Sequence, residues 1–435
     1  MPKVSRIPRM NPLRISGFQH EKTGTTSRVS TDIDGASLWF ESDDVDLEPS
    51  VEALASIWLI PALLSKRSLK IDEPLCKTWL ANAHKVMEFL DESWGANPIE
   101  IDANPVEKSI PVGQARGLFF SGGVDSFYTL LSIEKPDFLI YVESFDVPSD
   151  EENRARIARE RLCRVASAIG SKPITIRTNL KKHPTFKKPR FADTHAALLG
   201  AVGHLLAPHL GSVIIAPSWH KGHHAVYGSH WQMDPLWSSG RVKIIHGDNT
   251  QKRRARVFAI AGEKLVQENL QVCFENANCS RCAKCIRTMV ELHQAKQLPK
   301  FKVFDQSVPI WEAIDQVPKI NPGGTSTYEN ILENNPEPEL ASAIKRLFRR
   351  SSLAATALED QLKERRYVDD QFPKIEEGLK NAMQQYSLLQ EEHKNLAADY
   401  EEVVGKLPVK RGIRAVRKVL RTLRGGRAGK VQSHE

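Results

Sequence analysis

A run of mostly small residues, Ser121-Gly122-Gly123-Val124-Asp125-Ser126, separates an apolar stretch from a stretch with helical periodicity. Leu118–Phe120 precedes the run and Phe127–Leu131 follows it, which predicts a strand, a tight loop and a helix. Such a loop presents backbone N–H groups at a helix N-terminus, where the helix dipole favours an anion. Its two glycines allow a phosphate to approach closely, and its two serines add hydroxyl donors. The run therefore predicts a phosphate-binding loop, with an ordinary glycine turn as the alternative.

Strand-like and helix-like segments alternate around this loop, over residues 117–260. The predicted strands are Gly117–Phe120, Phe138–Ser144, Pro173–Arg177, Val213–Ala216 and Val242–Ile245. The predicted helices are Ser126–Glu134, Ser149–Ile169 and Asp193–His209. This alternation is typical of an α/β fold, in which a parallel sheet has helices on both faces. Ligands of such sheets lie beyond the carboxyl ends of the strands, and the glycine loop follows one of these ends.

The chain has 435 residues, a length that predicts about three domains. Residues 1–112 are expected to form a small α+β domain, and residues 113–305 a nucleotide domain. The elements expected in the first domain are strands at Ala36–Glu41 and Ile99–Ile101 and helices at Pro49–Ser65 and Pro74–Trp94. Prolines and glycines interrupt residues 306–365, a pattern typical of a linker with helical pieces.

A heptad pattern covers residues 366–407. Its seam positions, which step by alternating fours and threes, are Ile375, Leu379, Ala382, Tyr386, Leu389, His393, Leu396, Tyr400, Val403 and Leu407. The pattern predicts a left-handed coiled coil and hence a homodimer. Because the seam contains a small residue and several polar ones, an amphipathic helix folded onto its own chain is the alternative.

The net charge of +8 is concentrated in the basic tail, residues 408–435. Ten Lys or Arg and no acid lie between Lys406 and Lys430, so the rest of the chain carries a net charge of −2. The tail favours peripheral contact with an anionic membrane, with a phosphate backbone or a solvated disordered tail as alternatives. The net charge of −2 on the rest of the chain does not favour binding of nucleic acid there. Ala196–Pro217 is interpreted as a buried helix and strand rather than a membrane span, and a cytoplasmic protein is expected.

Four of the six cysteines lie within thirteen residues, in the segment CFENANCSRCAKC. These are Cys273, Cys279, Cys282 and Cys285, and the last three have the x2 spacing that lets thiolates converge on one ion. Four thiolates suit a closed, structural zinc site, and the same spacing also suits an iron–sulfur cluster. Four free buried thiols are the third alternative. Cys76 and Cys163 stand alone and are expected in the core.

The glycine run resembles the Ser-Gly-Gly-x-Asp-Ser signature of the PP-loop ATP pyrophosphatases, and it lacks the Gly-Lys-Ser/Thr of a Walker A loop. With the four cysteines it resembles the 7-cyano-7-deazaguanine synthase group of that family. The resemblance covers roughly residues 115–295 and implies a HUP-type sheet, cleavage of ATP between the α and β phosphates, and a zinc on the cysteines. The x5 spacing after Cys273 is shorter than expected for that group. We therefore take the fold and the ATP chemistry from the resemblance, and not the deazaguanine substrate.

The resemblance also implies roles for residues of the loop and of the next strand end. The residues expected to bind the β and γ phosphates are Ser121, Gly122, Gly123, Val124, Asp125 and Ser126. Asp125 and Ser126 are candidate catalytic residues. Asp125 is expected to hold Mg²⁺ or to order the loop, with a helix N-cap as the alternative. Ser144 and Phe145 lie where this family contacts adenine, mostly through its backbone.

Further polar residues follow the later strands. Asp193 or Thr194 is expected to cap a helix, and His195 to face the nucleotide or solvent. The histidines expected to contact substrate, with metal binding or an idle surface loop as alternatives, are His220, His223 and His224. The cations expected to neutralise pyrophosphate, with a solvated helix start as the alternative, are Lys252, Arg253 and Arg254; of these, Lys252 and Arg254 are candidate catalytic residues.

These features favour an AMP-forming ligase. A carboxylate or amide oxygen of a small-molecule or glycan acceptor would attack the α phosphate, and a nitrogen nucleophile would then displace AMP. One alternative is a PP-loop tRNA-modifying enzyme that transfers sulfur, with the tail binding RNA. The other is a coiled-coil interaction protein regulated by ATP.

Overall fold

The computed structural model describes residues 11–109, 115–146, 151–187, 191–222, 226–275, 277–320, 324–352 and 384–398. The strands are β1 (Leu13–Ile15), β2 (Gln19–Thr23), β3 (Thr26–Ile33), β4 (Ala36–Ser42), β5 (Leu69–Ile71), β6 (Leu75–Cys76), β7 (Ile101–Asp102), β8 (Pro105–Val106), β9 (Ala115–Phe119), β10 (Phe138–Val142), β11 (Lys172–Thr178), β12 (Leu210–Ile215) and β13 (Lys243–His246).

The helices are α1 (Val51–Leu64), α2 (Lys77–Trp94), α3 (Val124–Ser132), α4 (Glu143–Asp146), α5 (Glu152–Ile169), α6 (Phe191–Leu205), α7 (Arg253–Ile260), α8 (Lys264–Asn269), α9 (Ala283–Gln294), α10 (Ile310–Asp315), α11 (Thr325–Glu333) and α12 (338–352). Short 3₁₀ turns lie at Leu180–Lys182, Pro184–Lys187, Asp234–Trp237 and Leu298–Lys300.

The main sheet has eight strands in the order β13-β12-β9-β10-β11-β4-β3-β2. The pairs from β13 to β11 are all parallel, and those from β11 to β2 are antiparallel. The five parallel strands confirm the predicted α/β class. From β9 the chain continues to β10 and β11 on one side of β9, and it later adds β12 and β13 on the other side. The topological switch point therefore lies between β9 and β12.

Helices cover both faces of the parallel strands, because alternate residues of each strand point to opposite sides. On β9 and β10, Phe119 and Ile140 belong to one apolar core together with residues of α1, α2 and α6. Leu118 and Leu139 belong to a second core together with residues of α3, α5, α7 and α9. The predicted helix and strand within Ala196–Pro217 correspond to α6 and β12.

Residues 11–109 contribute strands to the main sheet as well as small sheets of their own. Phe40 and Glu41 of β4 pair with Thr178 and Arg177 of β11. The Ser42 hydroxyl donates to the Thr175 carbonyl at 2.9 Å across the same boundary. The expected domain boundary at residue 112 stays a prediction, and the sheet itself is continuous across the two segments.

Residues 306–352 contain the helical pieces that the sequence predicted, as α10, α11 and α12. Their apolar side chains are buried in the second core, including Ile314, Tyr328, Ile331 and Leu347. This part of the segment expected to be a linker is therefore packed into the compact unit formed by residues 1–352.

The chain divides into that unit and a second one, residues 353–435, of which only a helix at 384–398 is described. Tyr386, Leu389, His393 and Leu396 of the predicted seam lie on this helix and are exposed. The rest of the predicted coiled coil and the basic tail lie outside the described residues. Among the described residues, no helix is both long enough and apolar enough to cross a membrane.

Candidate nucleotide site and metal centre

The glycine loop joins β9 to α3 at the switch point of the sheet. Gly122 has a φ of +80°, a left-handed conformation that favours glycine. A Cβ added there would lie 3.2 Å from the Cδ atom of Arg161. The Ser121 and Ser126 hydroxyls lie 3.0 Å apart, and the Ser126 hydroxyl donates to the Gly123 carbonyl at 3.3 Å. The strand–loop–helix prediction is confirmed; Ser121 lies in the loop and Ser126 in the first turn of α3.

Asp125 is held by a buried arginine from α7. A guanidinium nitrogen of Arg256 donates to Asp125 Oδ1 at 2.8 Å, and only 1% of the arginine side chain is exposed. The same guanidinium donates to the carbonyls of Pro217 and Gln251, at 2.5 and 3.0 Å. The N-cap of α3 is Gly123, so the interpretation of Asp125 as a helix cap is wrong. The ion pair supports the loop-ordering role.

A cavity of about 180 Å³ lies on one side of the loop, at the carboxyl ends of β9, β10 and β12. It is lined by loop residues that include Ser121, Gly123, Asp125 and Ser126, and by apolar residues that follow the strands. Phe145 and His195, both predicted from sequence, also line it, from α4 and α6. The Ser144 side chain is not described. Asp193 and Thr194 lie inside α6, which includes Phe191 and Ala192, so their prediction as caps is wrong.

A second cavity, of about 220 Å³, lies between the loop and the cysteine segment. Its cationic lining residues are Arg154, Arg161, Arg253, Lys284 and Arg287. Burial lowers the pKa of Arg161. Burial and the neighbouring Arg253 together lower the pKa of Arg287 to about 10. Guanidinium groups whose charge is penalised in this way favour the binding of an anion.

A larger cleft, of about 850 Å³, opens beyond Asp125 and is lined by residues of α7, α9 and α11. Its cations are Lys252, Arg253, Arg254, Arg256, Lys284 and Arg287, and its acids are Asp125, Glu329 and Glu333. Glu329 and Glu333 are exposed at the rim, whereas Arg256 is buried. The volume is within the usual range for a small-molecule site.

The three predicted cations at the start of α7 differ in their surroundings. Lys252 is exposed at the N-cap position. Arg254 donates to the Gln294 side chain at 3.1 Å and stacks on Phe258. Arg253 donates to Thr288 of α9 at 2.9 Å. All three line the cleft, and only Arg253 also lines the smaller cavity beside the loop.

Residues that sequence reasoning missed complete the site. They are Tyr141, Arg154, Arg161, Arg256 and Tyr328. One signal for Arg256 was available, because this arginine stands at helical spacing with the apolar Val257 and Ile260. The others come from segments far apart in sequence, and no local pattern links them to the loop.

The tryptophan and histidine loop after β12 borders the cleft. Trp219 stacks on Tyr227, with ring centroids 5.4 Å apart and planes at 11°. His220 also lines the cleft, whereas His223 and His224 lie outside the described residues. His220 belongs to no cluster of potential metal ligands among the described residues. Substrate contact by this loop stays a prediction.

The ligand atoms of the four cysteines converge to within 4.8 Å of one another. The Sγ atoms of Cys273 and Cys282 lie 3.7 Å apart, and those of Cys279 and Cys285 lie 4.0 Å apart. Sulfurs bound tetrahedrally to one zinc at about 2.3 Å would be about 3.8 Å apart. The group can therefore hold a single metal ion, and the same distances are too long for disulfide bonds.

Backbone geometry shapes this metal centre. Cys282 is the N-cap of α9 and its sulfur accepts from the Cys285 N–H, while its own N–H donates to the Cys279 sulfur at 3.3 Å. Burial alone would raise the pKa of Cys279, but N–H donors from Arg281 and Cys282 lower it to about 7. Burial raises the pKa of Cys285. Binding of a cation would compensate the negative charge of these thiolates.

The metal centre is attached directly to the glycine loop. The N–H of Gln271 donates to the Gly122 carbonyl at 2.8 Å, and the Gln271 side chain donates to the Cys273 carbonyl at 3.0 Å. Asn278 accepts from the N–H of Val272 at 2.9 Å. This bond holds the segment with Cys273 against residues 279–285, which contain the other three cysteines and are called the knuckle below.

The two remaining cysteines lie apart from this centre. Cys76 is buried as predicted, and its sulfur accepts from the Gly240 N–H at 3.2 Å. Cys163 is exposed on α5, so its prediction as a core residue is wrong. The polar residues that surround it on α5 place it on the solvent face of an amphipathic helix.

Comparison of this chain with protein-family models, with curated proteins and with solved structures gives no match.

Proposed function

We propose that the chain is an ATP pyrophosphatase of the PP-loop type that acts as an AMP-forming ligase. In the first step an acceptor oxygen bonds to the α phosphorus, the bond from that phosphorus to the bridging oxygen breaks, and pyrophosphate leaves. In the second step a nitrogen nucleophile bonds to the activated carbon, and AMP leaves with its electron pair. The observation that carries the proposal is the glycine loop at the switch point, with three cavities that share Asp125.

Each cavity suits one part of the reaction. The aromatic and apolar lining of the 180 Å³ cavity, with Phe145 and His195, favours the adenosine end of ATP. The five cations of the 220 Å³ cavity favour the β and γ phosphates and the departing pyrophosphate. The 850 Å³ cleft has room for the acceptor. An acceptor in that cleft would approach the loop on the side of Asp125.

The residues would act mainly by positioning and by neutralising charge. Ser121, Ser126 and the backbone N–H groups of the loop would bind phosphate oxygens. Arg253, which lines the 220 Å³ cavity, would stabilise the negative charge that develops on pyrophosphate, whereas Lys252 lines only the cleft. Mg²⁺ would bind with the nucleotide and neutralise its phosphates. Arg256 already donates a hydrogen bond to Asp125 Oδ1. We therefore assign Asp125 the role of ordering the loop rather than that of binding Mg²⁺.

We propose zinc as the ion of the cysteine centre, with a structural role. Four thiolates close the coordination sphere and leave no position for a substrate. The short distances between sulfurs favour one ion over an iron–sulfur cluster, whose irons would hold the thiolates further apart. The centre would hold α9 and Gln271 in place against the glycine loop.

Calorimetry with Mg·ATP and with AMP on the metal-loaded full chain tests the proposal. We expect Ser126→Ala to weaken ATP binding about tenfold, since it removes one hydroxyl next to the phosphates. The matched control is Ser132→Ala, at the other end of α3, where the hydroxyl donates to the Tyr128 carbonyl at 2.7 Å. Absence of ATP binding in the wild type contradicts the proposal.

Product analysis provides the second arm. With acceptor pools and ammonium present, the wild-type chain should form AMP and pyrophosphate in equal amounts. Formation of ADP and phosphate instead would exclude cleavage next to the α phosphorus.

A further inference from the structure

A carboxyl group that no sequence motif indicated lies directly behind the cations of the proposed phosphate site. Glu291 is on α9, and its side chain is fully buried. Its Oε2 lies 3.3 Å from Nε of Arg253. Within the described part of the chain, neither oxygen of this carboxyl group makes a well-aligned hydrogen bond. A buried carboxyl group without full hydrogen bonding is costly, so its presence here needs a reason.

The helix that carries Glu291 also carries the site residues around it. Four residues share one face of α9. Arg287 and Thr288 lie three and four residues after Lys284, and Glu291 lies four and three residues after them. Lys284 and Arg287 line both the cleft and the 220 Å³ cavity. Thr288 and Glu291 both contact Arg253, which comes from α7. The face therefore holds Arg253 from behind while presenting two further cations.

Within the described residues, contacts with Thr288 and Glu291 fix the direction of Arg253. Its side chain is 21% exposed and lies on the wall shared by the two cavities. Thr288 accepts from one terminal nitrogen at 2.9 Å, and Glu291 lies beside Nε. Burial raises the pKa of Glu291, while the charges of Arg253 and Arg287 oppose that shift. The buried phenol of Tyr328 lies in the same charged surroundings.

We propose that Glu291 is a positioning residue, which fixes Arg253 so that its guanidinium meets an oxyanion of the pyrophosphate type. The inference rests on the proposed function for the choice of ligand. Glu291 acts through its position beside Nε of Arg253 and through its shape. Loss of the side chain would let Arg253 turn away from the cavity wall.

The test is calorimetry on the metal-loaded full chain, with inorganic pyrophosphate and with AMP as separate probes. We expect Glu291→Ala to weaken pyrophosphate binding about tenfold and to leave AMP binding within about twofold. Glu291→Gln keeps the oxygen and the shape, so its pyrophosphate affinity should stay within about threefold of the wild type. Arg253→Gln should reproduce the loss, and the double variant Glu291→Ala/Arg253→Gln should add nothing further.

The matched control is Glu52→Gln. Glu52 is another buried carboxylate, paired with Lys108 at 2.7 Å in the other core, so its loss should lower stability without changing pyrophosphate affinity. Should Glu291→Ala fail to fold, as judged by metal content and thermal unfolding, Glu291→Asp replaces it. That variant withdraws the carboxyl by one methylene and should also weaken pyrophosphate binding.

Unchanged pyrophosphate affinity in Glu291→Ala overturns the inference, and so does an equal loss of AMP and pyrophosphate affinity, since that indicates a general structural role. Tighter binding by Glu291→Gln would also overturn it, because the carboxylate would then act by repulsion. If the wild type binds both probes and ATP while Glu291→Ala matches it, the inference fails alone. If the wild type binds neither ATP nor AMP, the proposed function fails.

Discussion

Arg256 connects three separate segments of the chain at the level of a single side chain. It is among the largest fully buried side chains of the described residues. Its guanidinium contacts the loop carboxylate of Asp125 and the carbonyls of Pro217 and Gln251. The charge is therefore satisfied by one anion and several dipoles, and Asp125 is held in place by a contact within the protein.

We predict that Arg256→Ala lowers the free energy of unfolding by about 3 kcal/mol, because it leaves buried acceptors without their donor. Nucleotide binding should weaken as well, since Asp125 loses its partner. Urea denaturation measures the first effect. Arg254→Ala, two positions earlier on α7, should change stability by less than about 1 kcal/mol, and an equal loss in both variants would contradict the argument.

His204 makes stability depend on pH. Burial lowers the pKa of His204 to about 4, from an ordinary value of 6.5, despite the nearby Glu52. The unfolded chain therefore binds a proton at higher pH than the folded chain does. The contribution of neutral, buried His204 to the free energy of unfolding is therefore complete above pH 6.5 and is lost as the pH falls towards 4.

Thermal unfolding of the wild type should therefore show a fall in melting temperature across that window. His204→Gln, which retains a donor for the Trp237 carbonyl, should show a shallower fall. Parallel profiles for the two proteins would show that other groups dominate.

At the level of one element, α9 belongs to both the cysteine group and the proposed phosphate site. Its first turn supplies Cys285, and Cys282 is its N-cap. Arg287 and Lys284 line the 220 Å³ cavity from the same turns. Displacement of the knuckle would therefore move the cations as well as the cysteines.

We predict one zinc per chain, and a cobalt-substituted protein with the absorption of tetrahedral thiolate coordination. Cys285→Ser should lose the metal and lower the free energy of unfolding by about 3 kcal/mol or more. It should also weaken ATP binding, because the knuckle supports Gln271 and the loop. Cys163→Ser, which changes the exposed cysteine, is the control and should leave metal content and stability unchanged. An iron–sulfur chromophore would contradict zinc.

At the level of the whole molecule, the compact unit of residues 1–352 contains every cavity described above. The helix at 384–398 belongs to the second unit and exposes the seam residues Tyr386, Leu389 and Leu396. We propose that the heptads form the predicted homodimer and that the basic tail contacts anionic membranes.

A chain that ends at Ser352 should keep the melting temperature, the metal and the ATP affinity of the full protein. Light scattering should show a change from dimer to monomer, because the heptads are removed. Vesicles with anionic lipids should bind the full chain and release the shortened one. A shortened chain that still forms dimers would place the interface within residues 1–352.

The local sequence pattern was sufficient to predict structure where the residues adjacent in sequence are also the residues in contact. The strands β9 to β13, the glycine loop and the helix α3 are such cases, because alternation and turn residues encode them directly. The four cysteines are another, since their spacing already brings the sulfurs within 4.8 Å. The strands β2 and β3 were missed because their polar residues hide the alternation, and β1 was missed because it has only three residues.

The sequence by itself determined the α/β class, the strand–loop–helix arrangement of the glycine run and a cysteine group able to hold a metal. The tertiary structure decided which distant residues complete the site: Arg256 against Asp125, Glu291 behind Arg253, and the packing of residues 306–352 that encloses the cleft. It also joined β4 to β11 in one sheet. The physical reason is that short-range patterns report periodicity and conformational preference, whereas pairing of buried charges depends on elements far apart in the chain.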